Sequence, residues 1–186
     1  MEIGEGIHLR RASRSLEHTD ISLDLIRDLA RHAGLAPSCF NKQPWRFVFV
    51  YEPEQLSRMF EALSSGNKWA RKASMIVAVF SHREQDCIVK AREYFSFDTG
   101  MATAFLILRA TELGLVAHPI AGYNESRVKE LLEIPESMSV ITLVIVGKKA
   151  REIGELLSEK QARVETERPE RLYFDEFSFL NRYRKT

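Results

Sequence analysis

The stretch 36-APSCFNKQPW-45 decides how this chain is read. It follows a segment with helical periodicity (Leu25, Ile26, Leu29, Ala30 and Ala33). It precedes "RFVFVY", Arg46 to Tyr51, whose aromatic and β-branched residues read as a buried strand. Between the two come prolines, a serine, an asparagine, a glutamine and a cysteine. A loop this polar at the mouth of a strand has two readings. It is a turn whose Asn and Ser satisfy their own backbone, or it is a set of donors and acceptors turned toward a ligand. Asn41 and Gln43 offer both kinds of group and Ser38 adds a hydroxyl. Such groups suit the edge of a heterocycle that carries carbonyls and ring N–H groups.

Working outward, the first helix should open near Thr19 to Ser22, where capping oxygens stand, and stop at Gly34. Pro53 opens a second helix, with Leu56, Met59, Phe60 and Leu63 on one face. "MIVAVFS" (Met75 to Ser81) is another buried strand. Tyr94 to Leu113 is the most apolar helix, and its pattern predicts burial nearly all round. Its small residues Gly100, Ala102 and Ala104 would let another helix approach closely. It is either a central core helix or one that also packs against a partner chain. "LVAHPIAGY" turns through Pro119 and Gly122. Asn124 then caps a short helix (Val128, Leu131, Leu132) that ends at Pro135. "SVITLVIVGKK", Ser139 to Lys149, is a strand rich in Val, Ile and Thr. Helices stand between strands without a βαβαβ rhythm, so the pattern predicts an α+β fold rather than a doubly wound sheet. Residues 1–186 read as one domain, with about 150–186 a more charged C-terminal arm. The tail "RLYFDEFSFLNRYRKT" (Arg171, Tyr173, Phe177, Phe179, Arg182, Tyr183 and Arg184 among its residues) is aromatic and basic, unlike a disordered end.

The 186 residues suffice for one sizeable core, and a 45% hydrophobic, 28% charged composition is that of a globular chain. A net charge of +1 argues against attraction to nucleic acid or acidic membranes, so any anion site is local. The longest apolar stretch is broken by Asp98, Arg109 and Glu112, which excludes a membrane helix. Cys39 and Cys87 do not make a disulfide framework, and the first residues hold no apolar run of signal-peptide length. A reducing cytoplasm is the expected location. There is no GxGxxG, no GK[ST] phosphate loop, no HExxH, no CxxC and no GxSxG. The histidines (His8, His18, His32, His82, His118) show no metal-ligand spacing.

Two further signals remain. "RRASR" sets Arg10, Arg11 and Arg14 close together before the first helix. Planar guanidiniums match phosphate oxygens in a bidentate fork, although a basic cluster read alone is more often a solvated patch. "HPIAGY" combines Pro119, which sets the backbone, with Gly122, which removes side-chain bulk. It could present N–H groups to a flat ligand, or simply turn from strand to helix.

Taken in order, the RRxxR-type start, a helix, and APSxxNxQPW running into a strand resemble the FMN-dependent nitroreductase family. "FDTGMATAFLILRATELGL" is similar to that family's dimer helix, and "HPIAGYNESRVKELLEIPE" to its flavin-edge turn and following helix. "VITLVIVGKK" matches its last core strand and "RPERL" its closing basic element. The resemblance runs from about Leu9 to Leu172, with APSxxNxQPW its specific part.

The resemblance implies a mostly antiparallel sheet flanked by helices, in an intertwined homodimer whose C-terminal arm packs on the partner, with FMN at the interface. It implies that Arg10, Arg11 and Arg14 grip the phosphate and ribityl chain. Pro37, Ser38, Cys39 and Asn41 would reach the same flavin from the other subunit. Ile120, Ala121 and Gly122 would lie along the ring with an N–H at N5, and Asn67 would meet the pyrimidine edge. Arg168 is the expected late phosphate contact, with Arg163 the alternative. NADH or NADPH would reduce the flavin, and a nitroaromatic, quinone or similar flat small-molecule acceptor would reoxidise it at the same place. That is ping-pong kinetics with the flavin carrying the hydride and no protein acid or base required. Ala12 and Ala121 stand where many relatives have serine and some have glutamate. Cys39, in place of a small hydroxyl residue, would pack as a free thiol. The segment "HREQDCIVKARE" is short where larger relatives place a lid. A flavin-binding carrier or sensor without turnover, and a scaffold that uses the tail to bind another protein, are the alternatives.

Overall fold

The structure, a computed structural model, describes residues 2–183. Arg184 of the basic tail lies outside them. Its centre is an antiparallel sheet built on β7 (Ser139–Lys149). On one side β7 pairs with β3 (Met75–Ser81), which pairs in turn with β2 (Arg46–Val50). On the other side β6 (Leu115–Ile120) runs from Leu115 opposite Lys148 to Ile120 opposite Leu143. The short β1 (Leu16–Glu17) continues the sheet beyond Met75 by pairing with Lys149 and Lys148.

Period-two alternation explains why β3 and β7 are so uniformly apolar. Ile76, Ala78, Leu143 and Ile145 face one core with Leu56, Met59, Trp69, Val128 and Leu131. Met75, Val77, Val79, Val144 and Val146 face a second core with Ile26, Leu29, Leu106 and Ala110. A sheet covered on both faces needs apolar residues at successive positions, not alternate ones. The first core is closed by α3 (Pro53–Glu61) and α5 (Glu125–Leu132), the second by α2 (Leu23–Ala33) and α4 (Phe95–Glu112).

The helix ends follow local chemistry. Ser22 Oγ accepts the Leu25 N–H at the start of α2, and Gly34 caps its end. Asn124 accepts from the Arg127 N–H at the start of α5. Pro53 occupies the first turn of α3. The α+β class and the antiparallel sheet are as the sequence predicts. A short α1 (Ile3–Leu9) precedes the "RRASR" loop and rests against α4.

Two expectations change. First, α4 is not buried all round. Asp98, Thr99, Ala102, Thr103, Leu106, Ile107 and Ala110 are buried, while Phe97, Gly100, Ala104 and Phe105 are exposed. Those four, with half-buried Met101 and Leu108, recur at helical spacing as one open apolar stripe. Among the described residues only one face of this all-round apolar helix is covered. Second, the arm divides. Residues up to about 168 fold back on their own chain: Gly154 N–H donates to Ser15 Oγ at 3.0 Å, and Gln161 of α6 (Glu159–Thr166) donates to the Gly66 carbonyl at 2.8 Å. Beyond that, Leu172, Tyr173, Phe174, Phe177 and Leu180 stand exposed around the one-turn α7 (Phe174–Phe177).

Candidate functional site

The loop between α1 and β1 gathers the arginines. Buried Glu165, on α6, accepts the backbone N–H of Arg14 at 2.8 Å and of Ser15 at 3.2 Å. Arg11 in return donates to the carbonyls of Val164 (2.9 Å) and Glu167 (3.1 Å). Arg168 donates to the carbonyls of His8 and Arg10. Residues from opposite ends of the chain thus meet around a cavity of about 70 Å³ lined by Arg10, Arg11, Arg14, Arg168 and Arg171, with Ala12 and Pro169. Among the described residues none of these five guanidiniums forms an ion pair with a carboxylate. Arg10 is held below the usual arginine range, first by burial and then by the charges of Arg168 and Arg171. Guanidiniums held together with none of them ion-paired make a site that an anion relieves, and the planar fork suits a phosphate. Arg163 does not line the cavity, so Arg168 is the late arginine placed there.

From this cluster a line of contacts runs to the "HPIAGY" turn. The Arg14 guanidinium lies 5.9 Å from the Trp69 ring centre. Trp69 Nε1 donates to Asn67 Oδ1 at 3.2 Å, and Asn67 Nδ2 donates to the Gly122 carbonyl at 2.9 Å. Ser64 N–H donates to the same carbonyl at 3.0 Å. A Cβ on Gly122 would collide with Ser64 Oγ and come within 2.7 Å of Asn67 Nδ2. The glycine is therefore demanded by the chain's own packing. Asn67 is engaged at both ends of its amide, and in this chain it positions the turn. Ile120 closes β6, and exposed Ala121 follows it. Among the described residues the N–H groups of Ala121 and Gly122 meet no acceptor.

Beneath this line sits His118, stacked on Trp69 with ring centres 4.7 Å apart and bonded through Nδ1 to the Ser13 carbonyl at 3.0 Å. Burial pushes its pKa down to about 4, with Arg14 and Arg10 nearby adding to the effect. A neutral imidazole is the form that packs there.

The 36–45 loop stands elsewhere. Ser81 Oγ donates to the Pro44 carbonyl at 2.9 Å, which fixes the loop at the far end of β3 from Ser74 and the arginines. At ~3.3 Å per residue, the length of β3 sets about 20 Å between the two places. Phe40, Asn41 and Gln43 all have positive φ (47°, 56° and 49°), a conformation that side chains resist. Ser38 Oγ accepts the Gln43 N–H at 2.9 Å, and Gln43 Nε2 reaches the Asn41 carbonyl at 3.3 Å. The side-chain amide of Asn41 makes no hydrogen bond among the described residues, and Pro37 is exposed.

Cys39 corrects the sequence reading. It is not a free thiol: it is paired with Cys87, the two Cα atoms lying 6.0 Å apart. A separation of 48 residues carried no signal of this. The loop and the segment after β3 are brought together at the start of α4, where buried Asp98 accepts the Cys39 N–H at 2.6 Å. The pairing also removes the argument that the cysteine count made for a reducing compartment.

One chain thus links Arg10, Arg11, Arg14 and Arg168 through Trp69 to Asn67, Ile120, Ala121 and Gly122, and anchors Pro37, Ser38, Cys39 and Asn41 at the other end of β3 from the arginines. Sequence reasoning passed over Trp69, His118 and Glu165, whose roles are set by burial. It also passed over Arg171, which stands in the quoted "RPERL".

An antiparallel α+β domain with a cluster of arginines linked to an open backbone turn is the class that fold and site define. The family model described as Nitroreductase family matches residues 7–148, and the chain belongs to the nitroreductase family. A protein of Archaeoglobus fulgidus whose assigned name is that of an NADH dehydrogenase/NAD(P)H nitroreductase is 33% identical over 149 residues, covering 76% of this chain and 82% of its own. A solved structure described as an oxidoreductase containing FMN superposes with a TM-score of 0.85 at 28% identity, over 97% of this chain and 92% of that one. A nitroreductase family protein of Clostridium novyi gives a TM-score of 0.75 at 27% identity, over 81% and 87%.

Proposed function

We propose that this protein is an FMN-dependent oxidoreductase that takes hydride from NADH or NADPH and passes it to a nitroaromatic, quinone or similar flat acceptor. The observation that carries this is the cluster of unpaired arginines joined, through Arg14, Trp69 and Asn67, to a turn with two open N–H groups. When bound, FMN supplies two-electron chemistry, accepting hydride from the nicotinamide and giving it to the acceptor in alternate visits to one site.

The chain supplies the rest. Arg10, Arg11, Arg14, Arg168 and Arg171 neutralise the phosphate. Ala121 and Gly122 offer donors whose position is fixed by Ser64 and Asn67, so no reorganisation is needed when negative charge develops beside them. Trp69 and neutral His118 pack behind Arg14 and set its direction. The relatives' names fit this reading: the Archaeoglobus protein is named for nicotinamide oxidation, and the superposing oxidoreductase contains FMN.

The working unit in this reading is a homodimer. The open stripe of α4, from Phe97 to Leu108, covers its partner's copy, and the exposed aromatic tail after Arg168 wraps the partner. Pro37, Ser38 and Asn41 then complete the partner's flavin site from their place at the far end of β3.

The purified protein is expected to be yellow, or to become so with added FMN, and to bleach when NADH or NADPH is added. A colourless protein that takes up no FMN overturns the proposal. A yellow one that nicotinamide reduces negligibly in stopped flow makes it a flavin carrier instead.

A further inference from the structure

The strongest feature outside the arginine site is the ground around the Cys39–Cys87 pair. Each cysteine's backbone N–H is held by a carboxylate: Cys39 by Asp98 at 2.6 Å, Cys87 by Asp86 at 2.7 Å. Both aspartates are buried, at 2% and 8% exposure. The second oxygen of Asp86 has no hydrogen-bond partner among the described residues, yet it is closed off from solvent. An Asp86 carboxylate oxygen lies within 4.8 Å of both sulfurs. A buried unpartnered carboxylate oxygen is costly, and one that persists calls for an explanation.

The charges facing Asp86 give one. Its pKa is raised, first by burial and then by Asp98, against the Cys87 N–H and Lys42, which act the other way. A proton on the unpartnered Asp86 oxygen would relieve both its burial and its nearness to Asp98, and that oxygen lies beside a sulfur–sulfur bond. The backbone on both sides is held in unfavourable conformations. Phe40, Asn41 and Gln43 flank one cysteine, and Lys90 and Ala91, at φ 49° and 66°, turn the hairpin of β4 (Ile88–Val89) and β5 (Arg92–Glu93) after the other. Such residues persist only where surrounding structure over-determines them.

We propose that Cys39 and Cys87, with buried Asp86 beside Asp98 as their proton donor, form a second redox site, a disulfide that small-molecule dithiols reversibly reduce in the folded protein. One thiol of the reductant attacks one sulfur as thiolate. The Cys39–Cys87 bond breaks, and the departing cysteine takes the proton of Asp86. The reductant's second thiol then attacks the mixed disulfide, closing the reductant's own disulfide and releasing the other cysteine, which is protonated from water. Two electrons and two protons pass to the protein, and Asp86 recovers its proton from the two released by the reductant.

Reduction frees the loop that carries Ser38 and Asn41 from the segment 82–93. The consequence for flavin rests on the function proposed above: the reduced protein binds FMN about tenfold or more weakly, the cost of re-ordering a residue or two of that loop.

The test uses the intact protein. Thiols are counted by alkylation and mass spectrometry after equilibration with graded ratios of reduced and oxidised dithiothreitol, with no flavin present. The expected result is none in the oxidised form, two in the reduced form, and full return on reoxidation while near-UV circular dichroism shows the fold intact. Asp86→Asn should slow reduction about 100-fold, the low end of what a positioned proton donor contributes, and flatten its pH dependence. If that variant does not fold, Asp98→Asn and the wild-type pH profile answer the same question. Two free thiols under every condition, a stoichiometric zinc ion held by them, or a disulfide that yields only after unfolding would each overturn the proposal. FMN titration of the two forms comes second. Equal affinity with reversible thiol chemistry refutes the coupling alone, and absent flavin binding in both forms refutes the proposed function without touching the thiol result.

Discussion

Two regions of this molecule were drawn from one family pattern, and the structure treats them differently. The arginine cluster and the "HPIAGY" turn are connected within the chain, from the Arg14–Trp69 contact to Asn67 and the Gly122 carbonyl. The 36–45 loop carries the most specific motif but is anchored at the other end of β3 from the arginines. The first region is a site that one chain assembles. The second is a surface that serves a site only if another chain brings it there. The open stripe on α4 and the exposed tail supply what such a second chain would cover.

Hybrid dimers would break or sharpen that contrast most decisively. Arg10→Ala/Arg168→Ala chains and Asn41→Ala chains should each bind FMN poorly alone. Mixed, they should yield heterodimers with one intact site and one doubly defective site, so the isolated heterodimer should carry half the flavin of wild type by absorbance. No recovery on mixing would place both regions in the same subunit's site. Phe105→Glu, on the exposed face of α4, should give a monomer in light scattering and release flavin with it. A dimer that survives the charge moves the interface elsewhere.

Within the first region, Arg10→Ala or Arg168→Ala should each weaken FMN binding by about 1.5–3 kcal/mol, as for a lost charge-assisted bond. Arg163→Ala, outside the cavity, should leave affinity unchanged. Fluorescence titration reads all three, and an effect at Arg163 equal to that at Arg168 would undo the assignment.

His118 offers a pH test of comparable size. Its folded pKa of about 4 lies below the ordinary 6.5. Between those values the unfolded chain binds a proton that the folded one refuses. Stability is therefore complete above about pH 6.5 and falls toward pH 4, by about 3 kcal/mol at most. Urea melts across that window should show the slope in wild type and less of it in His118→Gln. The smallest expected effect is Gly122→Ala, about 1–3 kcal/mol of stability lost as Ser64 and Asn67 are pushed aside. Flavin affinity in that variant reports whether the turn's position matters as well as its presence.

Legibility followed the range of the forces involved. The strands Met75–Ser81 and Ser139–Lys149 were readable to the residue, because their apolar and β-branched runs are a local property. So was the Asn124 cap, and the Ser22 cap fell at the edge of the Thr19 to Ser22 window, because caps act within one turn. The open face of α4 was misread as buried, since composition states how much apolar surface a helix carries and not which neighbour covers it. Glu165 looked like any acid on a charged segment, and only burial against two N–H groups gave it a role. Cys39 and Cys87 were read as unpaired, because a contact across 48 residues leaves no periodic trace.

The sequence by itself determined the α+β class, the main elements and the residue types proposed for an anion and heterocycle site, because these rest on periodicity, caps and motif chemistry along the chain. Tertiary structure alone decided that Arg168 rather than Arg163 joins the early arginines, that the 36–45 loop stands apart from them, and that two distant cysteines meet beside paired aspartates. Those are matters of which surfaces the sheet brings together, and no local pattern encodes them.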